Sequence, residues 1–247
     1  MTVEIRGDVV RRPAGLWTPG VHALLRHFER VGFDGAPRAL AVEDGQEVLS
    51  YVDGESAGGN PPAADDDVVF DVGALLRRMH DAQERFERPP DARWQALPLP
   101  VAGDEVICHN DVLGQNVVFR GGTPVALIDW ELASPGPRAV DVAAAASWWV
   151  PLRPDADVAR HRLPTSRRPE RLRLLLDGYG LDRPQRRTFL AVVDGVWRSW
   201  HEAFPLWGGA ERRRGWRDAY DGGRCEYIEG NLRWLDRNRG ELERALA

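Results

Sequence analysis

The sequence predicts an α+β chain in two unequal parts, a small β-rich layer over residues 1–55 and a larger, mostly helical part over residues 56–247. Three observations carry this. Short apolar runs bounded by turn residues fill the first 55 positions. A stretch of small residues and proline that becomes acidic, SAGGNPPAADDD at 56–67, reads as a connection. Beyond residue 137, apolar residues recur mainly at helical spacing. At 247 residues the chain can bury a substantial core.

Residues 3–11 read as one strand or a hairpin, broken at Gly7-Asp8 and ended by Pro13. A helix follows, with Thr18 as expected cap, Pro19 in its first turn, and Val21, Leu24, Leu25, Phe28 and Val31 along one face. Ala39–Val42 and Glu47–Val52 read as two strands joined at Asp44-Gly45. After the connection, Val69, Val72, Leu76, Met79 and Phe86 mark one face of a long helix, with Gly73 as an unfavourable residue inside it. Strands are expected at Glu105–Cys108, Asn116–Phe119 and Val125–Ile128, the last two joined across Gly121-Gly122. The rest reads as helical, with a Pro/Arg-rich interruption at 151–170 and a stripe of Phe189, Val193, Val196, Trp197 and Trp200.

Composition narrows the function classes. Apolar residues make up 43% and charged residues 29%, the balance of a soluble globular chain. A net charge of -5 argues against nucleic-acid binding, which needs a positive surface. All 33 basic residues are arginine, so a Walker A phosphate loop, which requires lysine, is excluded. The sequence has no paired C-x-x-C or H-E-x-x-H either. Cys108 and Cys225 are too few for a disulfide framework and fit a reducing compartment. With no apolar signal segment at the start and no run of about 18 apolar residues, no membrane contact and a cytoplasmic location are expected.

The stretch CHNDVLGQNVVF at 108–119 concentrates chemistry: His109, Asp111 and Asn116 lie within eight residues, and Asp129 ends the strand that follows. Phosphoryl transfer from a nucleoside triphosphate needs a carboxylate to orient and deprotonate the acceptor hydroxyl, plus hard oxygen ligands for magnesium. An amide oxygen and one carboxylate suffice as protein ligands, and a tight hairpin would set Asn116 beside Asp129.

The string His109-x-Asp111-x-x-x-x-Asn116, with Ile128-Asp129-Trp130-Glu131 and Gly136-Pro137-Arg138-Ala139-Val140-Asp141, resembles the aminoglycoside phosphotransferase family. The resemblance implies a protein-kinase-like two-lobed fold whose N-terminal lobe is truncated here. It also implies a magnesium-dependent kinase that moves the terminal phosphate of ATP or GTP to a hydroxyl of a small molecule. On that basis Asp111 is the base, Asn116 and Asp129 hold Mg2+, His109 braces the catalytic loop, and Asp141 ties that loop to the following helix. Leu49, Ser50 and Val52 resemble the family's hinge, with the backbone of Ser50 and Val52 on the purine edge and Leu49 behind it. Two features depart from the pattern. The phosphate-binding lysine is absent, with Arg11 its expected stand-in and Arg12 on the opposite face of the strand. The following helix has Val21 or His22 where an acidic partner is expected. These departures motivate an alternative, a catalytically impaired kinase-like binding or immunity protein that sequesters or senses a ligand.

Overall fold

The computed structural model describes residues 3–56, 65–95, 105–160, 164–211 and 216–247. Most of the expected 56–67 connection lies outside the described residues.

The first strands form a hairpin. β1 (Glu4–Arg6) and β2 (Val9–Pro13) pair antiparallel around Gly7-Asp8. Gly7 adopts φ +58°, which a residue without a Cβ reaches at little cost. β3 (Ala39–Glu43) and β4 (Gln46–Ser50) complete a four-stranded sheet of order β1-β2-β4-β3. Helix α1 (Thr18–Val31) buries Val21, Leu24, Leu25 and Phe28 and ends at Gly32 in the left-handed conformation. Thr18 is the first helical residue rather than the cap, and its hydroxyl accepts the Gly15 N–H at 2.9 Å.

The larger part begins with β5 (Glu55–Ser56) and helix α2 (Asp66–Asp81). The helix is shorter than its apolar stripe: Phe86 lies past its end and packs on the core against the His27 ring. Next come β6 (Val106–Cys108), a 3-10 turn at Gly114–Asn116, β7 (Val117–Arg120), β8 (Thr123–Leu127), a second 3-10 turn at Trp130–Leu132, and β9 (Ser134–Gly136). β5, β7 and β8 form one sheet, and β6 pairs with β9 in another. Helices α3 (Arg138–Trp149), α4 (Asp155–Arg160), α5 (Arg168–Tyr179), α6 (Arg183–Ala203), α7 (Trp216–Asp221) and α8 (Arg224–Leu246) follow, with a π-helical stretch at Phe204–Ala210.

Gly73 has a tertiary reason. A Cβ there would meet the Leu175 carbonyl at 2.4 Å, and one at Gly178 would meet the Phe70 carbonyl at 2.0 Å, so α2 and α5 touch backbone to backbone. The two parts of the molecule meet where Phe28 of α1 packs on the buried Trp130, ring centroids 5.5 Å apart, and where the Leu127 N–H bonds the Gly35 carbonyl at 2.9 Å. The whole has a small strand-rich part and a mostly helical remainder. Among the described residues, no helix is long and apolar enough to cross a membrane.

Candidate active site

The loop that carries His109, Asp111 and Asn116 leaves β6 at Cys108 and is held by one buried carboxylate. Asp141, in the first turn of α3, accepts the His109 N–H at 2.6 Å and the Asn110 N–H at 2.7 Å. The side chain of His80 in α2 also reaches Asp141, Nε2 to Oδ2 at 3.0 Å, while its Nδ1 lies 2.7 Å from the Tyr179 hydroxyl. The Nε2–H donates to the Asp141 carboxylate, which can only accept, and Nδ1 shares a hydrogen bond with the Tyr179 hydroxyl. Burial pushes the Tyr179 phenol up to about 12, which keeps its proton available for that bond.

Asn110 takes a left-handed backbone, φ +64°, which asparagine tolerates better than most residues. Its Nδ2 donates to the Leu132 carbonyl and the Ser134 hydroxyl, both at 2.9 Å, so an amide here has a structural use a smaller residue would lack. His109 is fully buried. Its Nε2 donates to the Ile128 carbonyl at 2.9 Å, its Nδ1 accepts the Asp111 N–H at 3.3 Å, and its ring stands edge-on to Trp130. Burial holds its pKa below the usual histidine range, so the ring is a neutral brace.

Asn116 closes the loop. Its Nδ2 donates to the Asp111 carboxylate (2.7 Å) and to the Asp111 carbonyl (2.9 Å), leaving the amide oxygen as a ligand atom. The Ile128 N–H bonds the Asn116 carbonyl at 2.9 Å across the β7–β8 hairpin, which brings Asn116 and Asp129 together. Asp129 is left-handed, φ +66°. Burial, then the neighbouring Asp129 and Glu131, push the Asp111 carboxyl up to about 7. Burial and Asp129 raise Glu131 in the same way.

The cation of the site is Arg12. β2 alternates, so Val10 and Arg12 face inward and Arg11 outward. Arg11, expected as the lysine's stand-in, pairs at the surface with Glu43 at 2.9 Å, and it is Arg12 that reaches Asp129. The Arg12 Nε donates to Glu47 at 2.5 Å, and its Nη1 donates to Asp129. Glu47 in turn meets His22 Nε2 at 3.1 Å. Burial works against the charge on Arg12, but Asp129 and Glu47 outweigh it and raise the guanidinium pKa.

Above the cation, Ile5, Val10, Leu49 and Ala39 lie in one row across the four strands, on the face that carries Arg12. Leu49 is buried and Ile5 exposed. The Ser50 N–H bonds the Arg38 carbonyl and the Tyr51 N–H bonds the Asp8 carbonyl, so Val52 is the first residue past the strand ladder.

The donor set fits a divalent cation. Asn116 Oδ1 and the Asp129 carboxylate are hard oxygens at neighbouring positions, with Glu131 close by. The raised pKa values of Asp111 and Glu131 show that burial and mutual repulsion disfavour their charged forms, which a dication would relieve.

A kinase-like fold with this loop defines a phosphotransferase scaffold. Residues 83–187 match the model of the phosphotransferase enzyme family, APH. The chain is 35% identical over 268 aligned positions to the trifolitoxin immunity protein of Rhizobium leguminosarum bv. trifolii, covering 100% of this chain and 95% of that one. The chain belongs to the phosphotransferase enzyme family, APH. Among solved structures, amicoumacin kinase hAmiN, in complex with AMP-PNP, Ca2+ and Ami, is similar at TM-score 0.63 and 11% identity, over 94% of this chain and 87% of that one. The GDP complex of aminoglycoside 2'-phosphotransferase-IIIa is similar at TM-score 0.57 and 14% identity, over 96% and 87%. Both likenesses concern the fold.

Sequence reasoning missed four contributors, Arg12, Glu47, His80 and Glu131. Strand alternation offered Arg12 as the other choice. Glu131 sits in the quoted Asp-Trp-Glu string. For Glu47 and His80 the signal is long-range pairing, 35 residues to Arg12 and 61 to Asp141.

Proposed function

We propose that this protein is a phosphotransferase that moves the terminal phosphate of ATP or GTP to a hydroxyl group of a small molecule, with Mg2+ as cofactor. The observation behind this reading is that Asn116 bonds Asp111, the β7–β8 hairpin carries Asn116 to the neighbourhood of Asp129, and Arg12 bonds Asp129. Asp111 orients the acceptor hydroxyl and takes its proton on the oxygen that Asn116 leaves open. The acceptor O–P bond forms as the bond from phosphorus to the β–γ bridging oxygen breaks, and the nucleoside diphosphate leaves. Asn116 and Asp129 would hold magnesium, which when bound neutralises charge on the donor phosphates. Arg12 offers its fork to phosphate oxygens, and the Ile5–Val10–Leu49 row forms an apolar roof for the base. The backbone of Ser50 and Val52 would read the base edge.

A second reading has its own support. The relative at 35% identity is named an immunity protein, and Arg12 bonds the carboxylate that would hold magnesium. On that reading the chain protects by sequestering or sensing a toxic compound. Calorimetry with MgATP and MgGTP, followed by an acceptor screen for phosphate release to a hydroxyl, separates the two. Sustained, magnesium-dependent turnover lost in Asp111→Ala supports the kinase, whereas ligand capture without turnover supports sequestration.

A further inference from the structure

We propose that Glu47 and His22 are positioning residues for Arg12, fixing the phosphate-facing cation of the cleft from strand β4. The inference rests on the phosphotransferase reading above.

Arg12 and Glu47 stand directly opposite each other in the antiparallel β2–β4 register, so the ladder itself turns both side chains to one face. Glu47 is 0% exposed. A carboxylate that deep is tolerated when both oxygens are engaged, and here both are: Oε1 by Arg12 Nε at 2.5 Å, Oε2 by His22 Nε2 at 3.1 Å. His22 is itself buried in α1. The second contact of Arg12 differs in kind, because the Asp129 side chain is 41% exposed. An incoming phosphate can therefore exchange with the partly exposed Asp129 at Nη1, while the buried Nε bond to Glu47 keeps the plane and direction of the fork.

This division also explains how the helix manages without an acidic residue at its start. Its contribution is His22, which holds the acid, and the acid belongs to a strand. The cation is thereby set by the sheet, and movement of α1 alters the His22–Glu47 contact rather than the Arg12 ion pair.

The test is calorimetry on the full chain with MgATP and with adenosine, which isolates the part of affinity due to the phosphates. In the wild type MgATP should bind more tightly than adenosine. Glu47→Gln should weaken MgATP by about ten- to a hundredfold with adenosine unchanged. Arg12→Ala should do the same, and the double variant should lose no more than either single one. His22→Glu in the Glu47→Gln background returns a carboxylate to the same buried space and should recover part of the loss. Where Glu47→Gln does not fold, His22→Ala carries the test, with an expected loss of about two- to tenfold. Equal weakening of MgATP and adenosine, or an unchanged phosphate increment in a folded variant, overturns the positioning role and leaves the phosphotransferase reading standing. A wild type that binds MgATP no better than adenosine overturns the nucleotide reading, and the proposal with it.

Discussion

Replacing Asp141 by asparagine should uncouple the catalytic loop from the helical lobe. The carboxylate accepts three N–H groups: His109 N–H and His80 Nε2–H on one oxygen, Asn110 N–H on the other. An asparagine presents one oxygen. If it faces His109 and His80, its NH2 opposes the Asn110 N–H; turned over, it opposes two donors. At least one charge-assisted bond is lost, each worth about 1.5–3 kcal/mol, and a donor is left unpaired at about 1–3 kcal/mol. The expected destabilisation is about 3 kcal/mol or more, or roughly 6–12 °C in melting temperature for a chain of this size. Tyr179→Phe removes the hydroxyl's bonds to His80 and Arg138 at the edge of the network, leaves all three N–H bonds to Asp141, and should cost about 1–2 kcal/mol. Thermal and urea unfolding followed by circular dichroism measure both. An Asp141→Asn variant within about 1 kcal/mol of wild type, or one no worse than Tyr179→Phe, would refute the idea that this carboxylate organises the loop.

Asp111→Asn should lower kcat by about 10²–10⁴-fold while the protein gains stability at pH 8. The sign follows from the raised carboxyl: its folded pKa of about 7 lies above the ordinary 3.8, so its contribution to stability falls as pH rises through that window, and an amide escapes the loss. Urea denaturation at pH 5 and pH 8 should show the variant's advantage growing with pH, and its absence would count against the buried carboxyl. Gly73→Ala should destabilise by about 1–3 kcal/mol despite the better helix propensity of alanine, because its Cβ would press on the Leu175 carbonyl. A stabilised variant in the same unfolding assay would show that α2 and α5 are not in backbone contact.

The catalytic loop was legible because its chemistry is local. His109, Asp111 and Asn116 are fixed by spacing within one loop, and a two-glycine hairpin carries the chain to Asp129. The cation was legible only up to strand parity. Two arginines are adjacent, and which one faces inward depends on the hairpin at Gly7-Asp8 and on pairing with β4, both tertiary matters. A search for its acidic partner along α1 could not succeed, because the partner sits on a strand 35 residues away. Gly73 read as a weakness of the helix until its contact with α5 was visible, and propensity carries no information about such a contact. The stripe through Phe86 overran its helix for a similar reason, since apolar spacing marks what is buried rather than where the backbone stops coiling.

The choice of Arg12 as cleft cation has a practical consequence. The chain has no lysine, so acylating or sulfonylating nucleotide analogues that trap a cleft amine have no side-chain amine to attack anywhere in this sequence. Dicarbonyl reagents that condense with guanidinium groups are the matching chemistry, and nucleotide should shield Arg12 from them. A guanidinium also keeps its proton across the whole accessible pH range. The positive pole of the cleft is therefore constant.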